Sequence, residues 1–406
     1  MAPPTDQFAS PGNPDILWTE DQTTSKYPDA PANPSRSCIL GLATANPENC
    51  YPLKEFGMES VRIFGYGEMP LANTFVDRIC KASGIFQKHM ACTYDIYETH
   101  PSLLQYHANN LGERIEIYEP VAMNIGKMAA EGALSDWGGD RADITHLITY
   151  STTMILSPSL DLRLVKALNL KATVKHYSVS LMGCHSGVNG IRTAAEIAQA
   201  DPTSRILVVF VEVNSAAAQT LNPENPLLDL SPFLLNMLFG DGAGAVVVGK
   251  HPTRKETALF EVHRAQTYLV PDTIKSIGAK LLESGLHTTL EKNVPAIVGQ
   301  NVGPFVTELL HNTKLSYANV NWAVHPGGKA IVDAVEKNCK LQPEQLGVSR
   351  HVLKDYGNMG STTILFILDK FRNDKKVDKT IHPWTAAVAF GPGVTVEGLL
   401  LKFPES

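Results

Sequence analysis

The run Ile206-Leu-Val-Val-Phe-Val-Glu-Val213 constrains the fold more than any other stretch of this chain. It has strand length, is rich in β-branched residues and shows no regular polar alternation. A strand that is apolar at consecutive positions has no face to give to water, so it must be covered on both sides. The flanking sequence supplies the cover. Residues 144–151 read as a second strand, 160–168 as a helix, and Tyr177, Val179 and Leu181 alternate as a strand should. Val188, Ile191, Ala195 and Ala198 then recur at helical spacing, and 243–248 read as a further strand directly after Phe239-Gly-Asp-Gly242. Strands alternating with helices predict an α/β layered fold rather than a helical bundle or a β-sandwich.

The rest of the chain extends this plan. Residues 1–36 carry many Pro, Asp, Ser and Thr and read as a disordered or surface leader. A strand is predicted at 38–43 and a helix around 75–82 that carries Arg78 and Lys81. A long helix is predicted from Pro120 to Trp137, stopped by Gly138-Gly139. The polar segment 248–256 is the best internal boundary, giving an N-terminal half at 37–250 and a C-terminal half at 251–406. Past it the plan restarts, with a strand at 259–262, a long helix at 294–312, and a strand at 320–324 ending on His325-Pro-Gly-Gly328. A helix at 329–338, the turn Tyr356-Gly-Asn-Met-Gly360, a helix at 361–371 and closing strands at 386–390 and 394–401 follow. Two related halves suit 406 residues, which is more than one core usually serves.

Composition removes several function classes. A net charge of −6 leaves no basic footprint for nucleic acid. No apolar run reaches the roughly 18 residues that a membrane span needs. The first residues, Met-Ala-Pro-Pro-Thr-Asp, show no secretory signal pattern. Six cysteines without a Cys-x-x-Cys pair argue against disulfides and zinc, and for free thiols in a cytoplasmic setting.

Three sharp turns each present one reactive side chain: Cys184, His325 and Asn358. Cys184 stands between a strand and a helix start, where unpaired N–H groups and the helix dipole favour a thiolate. No Asp or Glu follows until Glu196. An imidazole can take a thiol proton, and an Asn amide can donate to a developing oxyanion without quenching the nucleophile. Each residue taken singly also fits a structural role: a buried thiol at a strand–helix junction, a strand-capping His, a turn Asn. Spacing does not separate an acyltransferase from a Cys-His-Asn hydrolase, because such groups meet in space rather than in sequence.

The wording around the three residues is more specific. Gly183-Cys184, Leu238-Phe-Gly-Asp-Gly242, Ala323-Val-His-Pro-Gly-Gly328, Tyr356-Gly-Asn-Met359 and Phe390-Gly-Pro-Gly-Val-Thr-Val-Glu397 occur in one order. Together they resemble the type III polyketide synthases of the chalcone and stilbene synthase superfamily, over about residues 39–401. The resemblance implies a thiolase-like layered αβαβα fold built from two similar halves. It implies that Cys184 carries an acyl starter taken from coenzyme A. His325 and Asn358 would then bind malonyl-CoA for decarboxylative condensation and cyclisation, with no metal or redox cofactor. It also implies a homodimer, a gatekeeper role for Phe239, and a CoA-binding set of Arg78, Lys81, Lys329 and Ala330.

At cavity positions this chain departs from the chalcone-forming pattern. Ala217 stands for Thr, Ala279 for Gly, Thr288 for Phe, and Gly360 for Ser. Ser157 stands for the Met that reaches into the partner's cavity, while Thr152 is assigned to the substrate-binding wall. These changes predict a reshaped pocket for another starter and lean towards a fungal or microbial-type member. His185, directly after the nucleophile, also departs from the plant pattern. A ketoacyl-carrier-protein synthase III-like enzyme uses the same trio and is the alternative; a non-catalytic thiolase-fold binding protein is the other.

Overall fold

The computed structural model describes residues 36–64, 72–225, 230–373 and 382–404. The predicted leader therefore lies, apart from Arg36, outside the described residues. The chain from Ser35 to Ser406 clusters as one compact unit.

In chain order the N-terminal elements are β1 (Ser37–Ala45), β2 (Cys50–Pro52), α1 (Leu53–Ile63), α2 (Ala72–Ser83), β3 (Gln87–His89), α3 (Tyr94–Thr99) and α4 (Leu111–Trp137). Then come β4 (His146–Ser151), α5 (Leu160–Ala167), β5 (Lys175–Ser180), α6 (Ser186–Ala200), β6 (Arg205–Glu212), α7 (Ser231–Leu238) and β7 (Gly242–Lys250). The chain continues with β8 (Phe260–Leu269), the hairpin β9 (Ile277–Leu282) and β10 (Gly285–Leu290), α8 (Val294–Leu309), β11 (Asn321–Val324) and α9 (Lys329–Cys339). It closes with α10 (Gly347–Tyr356), α11 (Thr363–Asn373), β12 (Trp384–Gly391) and β13 (Thr395–Lys402).

Among the described residues nine strands join in the order β11-β12-β13-β8-β1-β7-β6-β4-β5. The pairings β4–β5, β4–β6 and β11–β12 are parallel and the others antiparallel. β1 and β8 pair over only Cys38–Glu261 and Ile39–Phe260, so the sheet is continuous there through a short ladder. Side-chain alternation separates the layers. From β6, Leu207, Val209 and Val211 join the core under α4, while Ile206, Val208 and Phe210 join a second core with α6 and α11. That second core also takes Ala387 and Ala389 from β12 and Leu399 and Leu401 from β13. The opposite faces of β12 and β13, with Val388, Val396 and Leu400, bury against α8 and α9. The result is the α-β-α-β-α stacking that a strand apolar on both faces demands. Burying each such Val, Leu or Ile contributes about 1.5–3 kcal/mol.

The long helix begins earlier than its proline suggests. Pro120 reads as a first-turn residue because it lacks an N–H, yet α4 starts at Leu111 and runs through Pro120. The added turns carry Arg114, Ile117 and Tyr118 into the core, and that burial outweighs the missing hydrogen bond.

The segment after β7 is anchored by charge. Arg205, at the start of β6, grips both carboxylate oxygens of Glu256 at 2.7 Å. The same carboxylate accepts from Trp137 Nε1 at 2.6 Å, at the end of α4, and from Thr253 N at 2.7 Å. Burial opposes ionisation, but these donors hold the Glu256 carboxyl down to about 2. Its stabilising contribution is therefore present at neutral pH and fades as pH falls from about 4.5 towards 2. Glu256→Gln leaves Arg205 buried without its counter-charge and is expected to cost about 3–5 kcal/mol in denaturant unfolding at pH 7. The gap between variant and wild type should narrow below pH ~3.

Candidate active site

One cavity of about 530 Å³ receives the three reactive turns. Cys184 lies after β5 and two residues ahead of α6, with His185 at the helix cap position. The turn depends on Gly183, whose φ is +81°. A Cβ there would fall 2.4 Å from Pro392 Cδ, so only glycine lets this turn pack on the loop Gly391-Pro-Gly. Gly183 N donates to Thr152 Oγ1 at 3.0 Å, and Ser186 Oγ donates to Gly183 O at 2.6 Å.

His325 follows the end of β11 and is held by its own N–H donating to Val388 O at 2.8 Å. Its ring is buried, and neither nitrogen has a hydrogen-bond partner among the described residues. Asn358 is bonded on every side. Its backbone N–H donates to Leu238 O and its carbonyl accepts from Gly240 N, both at 3.0 Å. Its side chain accepts from Gly360 N at 2.9 Å and donates to Gly327 O at 3.2 Å, in the turn that carries His325. The Asn358 side chain also acts on the Cys184 thiol, in the direction that favours the thiolate.

Burial dominates the electrostatics. It pushes the Cys184 thiol up to about 12, with the Glu212 carboxyl adding to the effect and Asn358 opposing it. It pushes His325 down to about 3, with His185 adding to the shift. Burial thus favours the uncharged form of both side chains. Burial here opposes the thiolate that the helix start favours. A neutral imidazole with unengaged nitrogens is suited to take the thiol proton when a reaction begins.

Glu212 has no functional signal in the sequence beyond being the one acid in the apolar run 206–213. It is buried at the end of β6 and lines the cavity. It accepts from Ser361 Oγ at 2.6 Å and from Thr152 N at 3.0 Å. Burial raises its pKa against those two hydrogen bonds. Gly360 has φ +57°, and a Cβ there would lie 3.2 Å from Glu212 Cγ. The space opened beside the carboxyl is thus a local consequence of glycine at 360.

Thr152, Ala217, Phe239, Ala279, Thr288 and Ala330 all line the same cavity. Ala279 and Thr288 face each other across the β9–β10 hairpin. Gln219 ties that hairpin to the Ala217 segment through bonds to Ser284 O at 3.0 Å and Leu286 O at 3.3 Å. Ser157 is placed elsewhere: it is exposed on the loop after β4 and does not line the cavity of its own chain. Arg78 and Lys81 are exposed on α2, and Lys329 is exposed and paired with Asp333. The end of α2 nevertheless meets the start of α9, where a Cβ on Gly84 would lie 3.4 Å from Lys329 Cβ. Lys292, an exposed cation on the cavity lining, had no signal in the sequence. His185 is buried with its ring against Gly391, and burial pushes it down to about 4.

The family model for the N-terminal domain of chalcone and stilbene synthases matches residues 24–252, and that for the C-terminal domain matches residues 261–404. The chain belongs to the chalcone and stilbene synthase family. It is a type III polyketide synthase, and its five layers are the thiolase fold of that family.

Two outcomes follow for this synthase. His325→Gln removes the imidazole and, if it takes the thiol proton, should slow alkylation of Cys184 by iodoacetamide at pH 7 at least ~10-fold, read by peptide mass spectrometry. Gly360→Ser places a side chain at positive φ against Glu212 and should lower stability by about 1–2 kcal/mol in denaturant unfolding.

Proposed function

We propose that this polyketide synthase is an acyltransferase that loads an acyl starter from its CoA ester onto Cys184 and extends it with malonyl-CoA. The observation that supports the reading is the convergence of Cys184, His325 and Asn358 on one cavity, with the Asn358 amide bonded to the His325 turn. The Cys184 sulfur attacks the starter thioester, His325 takes the thiol proton and returns it to the departing CoA thiolate. The starter is then held as a Cys184 thioester.

Malonyl-CoA next presents its thioester carbonyl to donors from His325 and Asn358. Loss of carbon dioxide leaves the bond electrons as an enolate, whose oxygen those donors stabilise in a desolvated pocket. The enolate carbon attacks the acyl carbonyl, the C–S bond to Cys184 breaks, and the chain returns extended on CoA. Repetition and ring closure would give a pyrone, resorcinol or related product. The steps call for no metal or dissociable cofactor.

Phe239 is read as the wall between mouth and cavity, and Arg78, Lys81 and Lys329, with Ala330 at the rim, as the CoA contacts. Cations at the mouth suit phosphate groups. Ala217, Ala279, Thr288 and Gly360 would shape the space for starter and product. A homodimer suits the exposed Ile155, Leu162 and Tyr177, which sit in or beside the Ser157 loop and edge strand β5. The setting is read as cytoplasmic.

Cys184→Ala should abolish polyketide formation, by more than ~10³-fold, when malonyl-CoA is supplied with short, aromatic and long-chain acyl-CoA starters and products are read by mass spectrometry. Products formed at the wild-type rate by the variant would overturn the reading.

A further inference from the structure

Lys88 in β3 is wholly buried, and the chemistry proposed for the cavity makes no use of it. Its ammonium donates to the carbonyl of Asn236 and, at 2.9 Å, to that of Phe239. These carbonyls belong to the last turn and cap of α7, where a helix has unpaired acceptors and the negative end of its dipole. The same Nζ stands 3.8 Å over the centroid of the Phe56 ring, a cation–π contact inside the protein. The stem runs between two loops: Cβ atoms placed on Gly240 and Gly357 would lie 3.3 and 3.6 Å from Lys88 Cβ. Those loops carry Phe239 and Asn358, which pair as a parallel bridge. Phe56, Leu238 and Phe239 all line the cavity.

A buried cation is costly unless it is held by partners. Here every partner other than Asp241 belongs to the end of α7 that carries Phe239 or is the Phe56 ring, which lines the same cavity. We propose that Lys88 is a positioning residue that fixes Phe239 in place as the barrier between cavity and mouth, by clasping the end of α7 against Phe56. The proposal rests on the reading of Phe239 as that barrier.

The clasp also responds to pH near neutrality. Burial brings the Lys88 amine down to about 7, opposed by Asp241. Asp241 is itself buried and accepts from Ala91 N, Ser215 N and Ser215 Oγ. The other ionisable groups on the surrounding elements are engaged elsewhere or turned outward. His89 bonds Pro47 O and stacks on Tyr356, while Glu59 on α1 pairs with Arg62. On α10, Asp355 pairs with His351, and Lys354 lies over the Phe86 ring. Glu55 on α1 is exposed. As pH rises through 7 the ammonium is lost, and with it the strongest part of the clasp.

The test compares alkylation of Cys184 by a small reagent, iodoacetamide, and a bulky one, N-phenylmaleimide, counted on the Cys184 peptide by mass spectrometry. The ratio of the two rates reports passage through the barrier and cancels the thiolate fraction. Lys88→Met, which keeps the stem without the charge, should raise the bulky-to-small ratio about tenfold, towards that of Phe239→Ala. In the wild type the ratio should rise about threefold from pH 6 to pH 8.5, and in Lys88→Met it should stay flat. A ratio raised by Phe239→Ala but unchanged in Lys88→Met overturns the proposal and leaves the barrier standing. A ratio unchanged in both variants removes the barrier reading and the proposal with it. If Lys88→Met does not fold, the wild-type profile decides: a flat ratio across that pH range overturns the proposal.

Discussion

Asn358 is the joint on which the site depends. Its backbone stitches the Leu238–Gly240 loop, its side chain reaches the His325 turn through Gly327, and it lines the same cavity as Cys184. These contacts bring together segments from both halves of the chain. A turn asparagine can do this because its side chain carries both an acceptor and donors at short reach. Loss of any one contact would let a loop drift relative to the others, and a misplacement of about 1 Å is enough to cost a large part of catalysis.

The same burial that assembles the site sets its chemistry. Desolvation raises the Cys184 thiol and lowers the His325 imidazole, so it favours the uncharged form of each. A neutral imidazole can serve first as base and later as donor. Glu212, buried on the same cavity, raises the Cys184 thiol further. A low-dielectric cavity also strengthens every hydrogen bond offered to a developing oxyanion.

Much of this was legible in the sequence, for identifiable reasons. The apolar run in β6 demanded cover on two sides, and the layers deliver it. The glycine-bearing turns marked Cys184, His325 and Asn358 because each is local, and the ordered motifs named the family before any distance was known. What escaped depends on contacts across the fold. Pro120 suggested a helix start that tertiary burial of Arg114 and Tyr118 overrode. Glu212 and Lys88 carry no local signal of their placement. Only the packing of β3 under α7 shows that this lysine is buried. The exposure of Ser157 likewise depends on how the loop after β4 lies, which no local pattern specifies.

The central claim is that Cys184 is the covalent carrier. Incubation of the wild-type enzyme with an isotope-labelled acyl-CoA and no malonyl-CoA, followed by acid quench and peptide mapping, addresses it directly. The account predicts stoichiometric, hydroxylamine-labile label on the Cys184 peptide. Label confined to another residue, or stable to hydroxylamine, would contradict it.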